Sequence, residues 1–490
     1  MAGDERYRVL PRSAYDLIVI GGGSAGLSAA ELAAALGVRV ALLDRERLGG
    51  ECLYTACVPS KALLHVAREA AHIRAAGEFG LDARLAPVDL GGVADYVQRA
   101  IRIIHDQTDS PEHYQRLGVD VGFGEVRFLS GDRLALNGRA VSSKRFLIAT
   151  GSCPSVPEVP GLEEAGFQTN ETIFALRALP ARLAVIGGGP VGCELGQAFA
   201  RLGSRVTILQ RAEQLLPRDE PEAAAVLRTR LEAEGVRVVT GASVTGIVLR
   251  EGSKVVSFST PHTPDTRGQP QEVAVDELLV AVGRSPNVAG LDLEAAGVRY
   301  DPRTSISVDR RLRTSSAHIY AAGDVIGGYR FTHAAALQAR AAVRNALFPG
   351  GSILDERVMP WATFTEPEVA HVGLTEEHAR RQDGNSVRTF TQSLREVDRA
   401  VTDGATEGFV KLVSATDGRL LGAQIVGHLA GEYINEVALA LQRKLNLADL
   451  AATTHVYPTM ALAIQQAAGG YTLAKLRRNR LVPLLRVLRR

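Results

Sequence analysis

Aromatic residues are scarce, at 5% of 490 residues with a single Trp, which leaves little material for a base-stacking surface. Charge of one sign is lacking too. The 56 basic residues nearly cancel the 54 acidic ones, and a net charge of +2 gives no whole-molecule attraction for nucleic acid. Four cysteines (Cys52, Cys57, Cys153, Cys193) are too few for a disulfide scaffold of this length. The opening MAGDERYRVLPRSAYD has no apolar h-region, so no secretory signal is read and a cytoplasmic location is expected. A long apolar run is missing as well. The longest uncharged stretch, Leu450 to Ala474, contains Thr453, His455, Pro458, Gln465 and Gly469, and it reads as protein interior. With 46% hydrophobic and 22% charged residues the chain is globular, and its length predicts about three domains.

What is present is a repeat. Residues 17 to 44 (LIVIGGGSAGLSAAELAAALGVRVALLD) and 183 to 210 (LAVIGGGPVGCELGQAFARLGSRVTILQ) each read as strand, Gly-rich turn, helix, strand. The offset is 166 from Gly21 to Gly187 and again from Gly26 to Gly192. GxGxxG falls at both strand-to-helix junctions (Gly21, Gly23, Gly26; Gly187, Gly189, Gly192), where glycines permit a tight turn and close backbone approach to a pyrophosphate. The unpaired N–H groups of the helix start favour the anion. Two dinucleotides are therefore expected.

The second strands end differently. Asp44 offers a carboxylate to ribose hydroxyls, so the first copy should take an unphosphorylated adenosine ribose. At the matching position stands Gln210, followed by Arg211 and later Arg218. A neutral amide beside an arginine tolerates a 2′-phosphate, and NADPH is expected over NADH.

Cys52 and Cys57 lie five positions apart in GGECLYTACVPSKALL (Gly49 to Leu64). In a regular helix such residues are roughly 8 to 9 Å apart at Cα, too far for a bridge. Pro59 cannot donate to the carbonyl of Thr55 and supplies a reason for distortion. A bridge in constrained geometry is the more reducible kind. Two buried, reduced cysteines are the alternative.

Together these motifs resemble the pyridine nucleotide-disulfide oxidoreductase family, over about residues 14 to 470. Ala149-Thr150-Gly151, VAVGRSPN (Val280 to Asn287), TSSAHIYAAGD (Thr314 to Asp324) and WATFTEPEVAHVGLTEE (Trp361 to Glu377) extend the match. The resemblance implies an α/β fold with two Rossmann-like domains and a C-terminal α+β dimerisation domain. Its expected parts are FAD-binding segments at 1–155 and 285–350, an NAD(P)H domain at 156–284, an interface domain at 351–474 and a basic tail at 475–490. FAD would meet Gly21, Gly23, Ser24, Ala25, Gly26, Asp44, Gly50, Lys61, Thr150, Gly151, Gly323 and Asp324. NADPH would meet Gly187, Gly189, Gly192, Gln210, Arg211 and Gly283. Cys57 would face the flavin, Cys52 would meet the acceptor, and Lys61 with Glu194 would form the family's ion pair near the flavin ring. No metal site is expected, and the protein should be a homodimer acting on a small-molecule electron acceptor.

The pattern breaks at the C-terminus. Dihydrolipoamide dehydrogenase and glutathione reductase carry His-Pro-Thr-x-x-Glu there; this chain has Tyr457 for the His and Leu462 for the Glu. A phenol with an ordinary pKa near 10 is a poor base at neutral pH, which disfavours efficient dithiol oxidation. Tyr resembles mercuric reductase, yet no cysteine follows Cys193 and no N-terminal metal-binding domain is read, both features of that enzyme. Quinones, metal ions and oxygen fit equally well as acceptors. An NADPH-dependent, FAD-containing disulfide-type oxidoreductase similar to mercuric reductase is the first reading, dihydrolipoamide dehydrogenase the second, and a non-catalytic FAD-holding module the third. The tail KLRRNRLVPLLRVLRR has seven basic and no acidic residues, with Leu481, Leu484, Leu485 and Leu488 at helical spacing. A helix packed on its own dimer or a frayed solvated end is expected of it, with weak peripheral membrane contact as the alternative.

Overall fold

The computed structural model describes residues 7–261, 271–351 and 353–478. They form two compact units. One comprises the described residues up to Glu158 with Phe167–Leu179 and Leu279–Asp355; the other holds Val159–Gly166, Pro180–Leu278 and the described residues from Glu356.

The first unit is built on a parallel sheet of five strands, in the order Ile319–Ala321, Phe146–Ile148, Leu17–Ile20, Val40–Asp44, Asp120–Phe123. Leu17–Ile20 is apolar at every position because both its faces are covered, as in parallel sheets generally. Leu17 and Val19 pack with the helices Ser24–Ala35 and Thr332–Leu347, whose alanines (Ala29, Ala30, Ala33, Ala339, Ala342) allow close approach. Ile18 and Ile20 turn the other way, toward Phe128, Leu134 and Phe146. Each such side chain contributes about 1.5–3 kcal/mol.

In the second unit the repeat recurs as Arg182–Ile186, Pro190–Leu202 and Arg205–Gln210, within a sheet ordered Arg237–Thr240, Arg205–Gln210, Arg182–Ile186, Glu277–Val280. A five-stranded antiparallel sheet, from Trp361–Thr363 at one edge to Val387–Ser393 at the other, carries the helices Ala430–Gln442 and Leu462–Arg478. Asp219 is buried here and accepts from Trp361 Nε1 at 3.1 Å; burial pushes its carboxyl up to about 6.

No helix among the described residues is long and apolar enough to cross a membrane. Leu450 to Ala474 is interior only in part. Leu450, Met460, Ala463, Ile464, Ala467, Ala468 and Tyr471 are buried, whereas Val456 and Tyr457 project from the link between two helices, 76% and 66% exposed. The helix Leu462–Arg478 continues through 474 without a break. The expected tail helix around Leu481 to Leu488 lies outside the described residues.

Candidate functional site

The first Gly-rich turn depends on missing side chains. Gly21 has φ +109°, and a Cβ there would sit 2.2 Å from Ala149 O; one on Gly26 would sit 1.7 Å from Gly21 O. The helix Ser24–Ala35 starts with no side-chain cap on Gly23, so its leading N–H groups are left to an anion. Gly49 donates to Gly22 O at 2.8 Å, and a Cβ on Gly50 would meet Gly23 Cα at 2.6 Å. These contacts dock the cysteine segment against the turn. Gly323 (φ +80°) approaches Ala25 closely from the far strand and donates to Gln338 Oε1 at 2.8 Å. Thr150 Oγ1 donates to Asn287 O at 2.7 Å, and Asn287 N donates to Gly151 O at 3.0 Å.

Between the cysteines the helix is broken. Gly50–Tyr54 ends at Thr55, Ala56 is non-helical, and Cys57–Ala75 begins at Cys57. Pro59 leaves the Thr55 carbonyl without its helical donor, and the buried Asn170 supplies one from Nδ2 at 3.0 Å. The break brings both sulfurs to one hydroxyl. Thr332 Oγ1 donates to Cys52 Sγ at 3.1 Å and lies 3.3 Å from Cys57 Sγ. Ser24, expected on FAD, also acts on Cys52, where its hydroxyl favours the thiolate. The hydrogen bond to Cys57, followed by burial, pushes Cys52 far up from the ordinary thiol range.

Beside Cys52, Glu51 pairs with Arg284, which also donates to Ser152 Oγ at 2.7 Å and lies 3.5 Å from Asp324 Oδ2. Ser152 Oγ donates to Asp324 at 2.6 Å. Sequence reasoning missed Thr332, Asn170, Glu51 and Arg284. Arg284 was within reach, as the cation of the VGRSPN segment, and Glu51 as an acid next to a reactive cysteine. Nothing near Asn170 in the sequence marks it.

Asp44 is partly spent inside the protein: it accepts from Gly22 N at 2.7 Å, Glu46 N at 3.0 Å and Arg47 N at 3.2 Å. Gln210 does the same work in the second copy. Its Oε1 accepts from Gly188 N at 3.0 Å, and its Nε2 donates to Gln214 O at 3.2 Å. Gly22 and Gly188, like Asp44 and Gln210, are related by the repeat offset of 166. A Cβ on Gly192 would come within 1.9 Å of Gly187 O, while Gly189 has open space and its helix, led by Pro190, has no side-chain cap. Arg211 is exposed at the strand end. Gly283 belongs to the first unit, where its carbonyl accepts from Ser155 N at 2.9 Å. Lys61 is one turn beyond Cys57 in the first unit. Glu194 is buried in the second, with Oε1 accepting from Phe364 N at 2.9 Å.

Tyr457 donates to Asp398 Oδ2 at 2.8 Å, and this carboxylate raises its phenol above the ordinary value. His455 is held by its own unit, with Nδ1 3.0 Å from Thr453 O and Nε2 3.0 Å from a Glu436 oxygen. Both ring nitrogens are thus engaged. Cys193 is fully buried. Glu220, Glu222 and Glu376 could together hold a cation, and the ammonium of Lys411 already fills the place, 3.2, 3.0 and 2.7 Å from their oxygens.

Two uncapped helix starts, each behind a turn too tight for a side chain, fit the pyrophosphate of a dinucleotide. The model of the family "Pyridine nucleotide-disulphide oxidoreductase" matches residues 15–339, and that of its dimerisation domain matches 359–468. The chain is 37% identical over 459 residues to a mercuric reductase of Bacillus cereus, covering 92% of this chain and 71% of that one. It is 37% identical over 455 residues to a dihydrolipoyl dehydrogenase of Thermus scotoductus, covering 93% and 96%. Among solved structures, the HOCl-induced flavoprotein disulfide reductase RclA of Escherichia coli aligns with a TM-score of 0.81 at 29% identity, over 93% of this chain and 99% of that one; its Cu(II) complex aligns with the same score.

Proposed function

Because the chain belongs to the pyridine nucleotide-disulphide oxidoreductase family, we propose that it carries electrons from NADPH through FAD to Cys52 and Cys57 and on to a thiol-reactive acceptor. It is an enzyme of that flavin-dependent type, its family binds FAD and NAD(P)H, and its dimerisation domain supports a homodimer. The observation that carries the proposal is the meeting of both sulfurs at Thr332 Oγ1, which no structural role of two isolated cysteines requires.

FAD, when bound, would supply the exchange between hydride and electron pairs. The chain's part is to hold and orient. The turn Gly21–Gly26 with Ser24 and Ala25 would receive the pyrophosphate, Asp44 keeps acceptor capacity for a ribose hydroxyl, and Thr150, Gly151, Gly323 and Asp324 would line the remainder with Gly50. Lys61 would set a positive charge near the ring. Gly187, Gly189 and Gly192 would serve NADPH, with Arg211 beside the 2′-phosphate.

A soft metal ion is the acceptor favoured here, Hg(II) above all. The mercuric reductase relatives support it, as does the RclA structure solved with Cu(II). Tyr457 supports it independently, since a phenol raised by Asp398 is unfit to deprotonate a dithiol. Dihydrolipoamide oxidation is the second reading, favoured by the dihydrolipoyl dehydrogenase relative. Anaerobic titration should take up two electrons per subunit beyond those of the flavin, and Cys52→Ser should lose them; equal uptake by both proteins would sink the redox pair. A turnover screen of Hg(II), Cu(II), quinones and dihydrolipoamide with both nicotinamide coenzymes then identifies the acceptor, and rapid NAD⁺-dependent oxidation of dihydrolipoamide would install the second reading.

A further inference from the structure

Thr332 opens a 16-residue helix, yet its hydroxyl does not cap it: Phe331 holds the capping position and no side chain caps that end. The hydroxyl is directed to sulfur instead, toward Cys52 at 3.1 Å and Cys57 at 3.3 Å. A hydroxyl has one hydrogen to give and two lone pairs to receive. While Thr332 donates to Cys52, its contact with Cys57 is satisfied by the Cys57 thiol donating to Oγ1. The three atoms then form one chain, S–H···O–H···S.

We propose that Thr332 is a proton relay between Cys57 and Cys52, a catalytic residue in contact with both reacting sulfurs. The inference rests on the redox pair proposed above. Two-electron reduction breaks the S–S bond and, with one proton taken up, leaves one thiol and one thiolate. Suppose the proton is on Cys57 and the charge on Cys52. Cys57 passes its proton to Oγ1 as Thr332 passes its own to Cys52 Sγ; the hydroxyl is restored, the charge moves to Cys57, and no electron is transferred. The reverse exposes Cys52 as the nucleophile for the acceptor. Proton traffic between the thiols thus stays inside the subunit, where the absence of a base at Tyr457 does not interrupt it.

The surroundings support a shared negative charge. Cys57 is the first residue of its own 19-residue helix, and Thr332 brings up the start of a second, so two sets of leading N–H groups favour a thiolate. Ser24 gives Cys52 a second hydroxyl contact. Next to the sulfurs and the hydroxyl along the chain stand Glu51, tied to Arg284, Lys61, one turn beyond Cys57, and His333, stacked on Phe331; Tyr54, His65, Arg68, Glu69, His72, Arg74, Arg340 and Arg344 lie on the same helices.

The test compares wild type, Thr332→Val and Thr332→Ser as FAD-loaded proteins, reduced anaerobically and alkylated with iodoacetamide over a range of pH. Peptide mapping follows Cys52 and Cys57 separately. Thr332→Val should label Cys52 roughly tenfold more slowly at neutral pH, the loss of one hydrogen bond to a charged group, with its profile moved to higher pH. Thr332→Ser should restore both rate and profile. Wild-type rates and profile in Thr332→Val, at unchanged FAD content and melting temperature, overturn the relay. Should the valine variant not fold, Thr332→Ala takes its place under the same criteria. Failure of the redox pair is distinct: the wild type itself then takes up no electrons beyond those of its flavin.

Discussion

Pro59 removes a donor from the segment that holds the cysteines, and Asn170 returns one from more than a hundred residues away. Asn170→Ala should leave the Thr55 carbonyl without that partner and destabilise the protein by about 1–3 kcal/mol, visible as a lower urea midpoint. Unchanged stability would mean that water or a neighbour replaces the amide. The distortion itself was legible in the spacing of Cys52, Cys57 and Pro59; its repair was not, because a side-chain donor reaching in from another segment leaves no local periodicity. Tyr457 was legible in the same sense. Its phenol is raised by Asp398, so Tyr457→Phe should lower kcat with Hg(II) by less than about tenfold, whereas loss of a working general base costs roughly 10² to 10⁴. Steady-state rates separate the two outcomes.

At the scale of elements, the two strand–turn–helix units obey one steric rule and can be broken separately. Gly26→Ala would press a methyl onto Gly21 O, and Gly192→Ala would press one onto Gly187 O. The first should yield protein depleted of flavin. The second should keep flavin while its KM for NADPH rises at least tenfold, measured by absorbance and initial rates. Flavin retention in Gly26→Ala would contradict the assignment of the first turn. These elements were the most readable part of the chain, since glycine spacing and apolar runs report backbone geometry directly. Less readable was the link around Tyr457, where an uncharged stretch read as interior surfaces at Val456 and Tyr457, because hydropathy counts composition and not the turn between two helices.

For the whole molecule, the family match supports a dimer, and sedimentation should give about twice the 52.2 kDa of one chain. Global stability should also carry the mark of Asp219. Its folded pKa of about 6 stands above the ordinary aspartate value, so the unfolded chain loses this proton first; the contribution of Asp219 to stability is fullest below about pH 4 and is lost as pH rises toward 6. Asp219→Asn should remove that decline and gain on the order of 3 kcal/mol near pH 8, provided the amide oxygen still accepts from Trp361. Thermal melts at both ends of the range would expose the opposite slope. Domain count and family could be read from the sequence, whereas buried charges such as Asp219 and the Lys411 cluster could not, since burial is decided by partners distant along the chain. The paired clasps of Asp44 and Gln210 have one more implication. An amide and a carboxylate fasten the same backbone hydrogen, so the position proposed to face the coenzyme's outer phosphate is free to change identity while the joint beneath it stays shut. A chain built this way can shift its allegiance between reductant pools without first surviving a loosened fold.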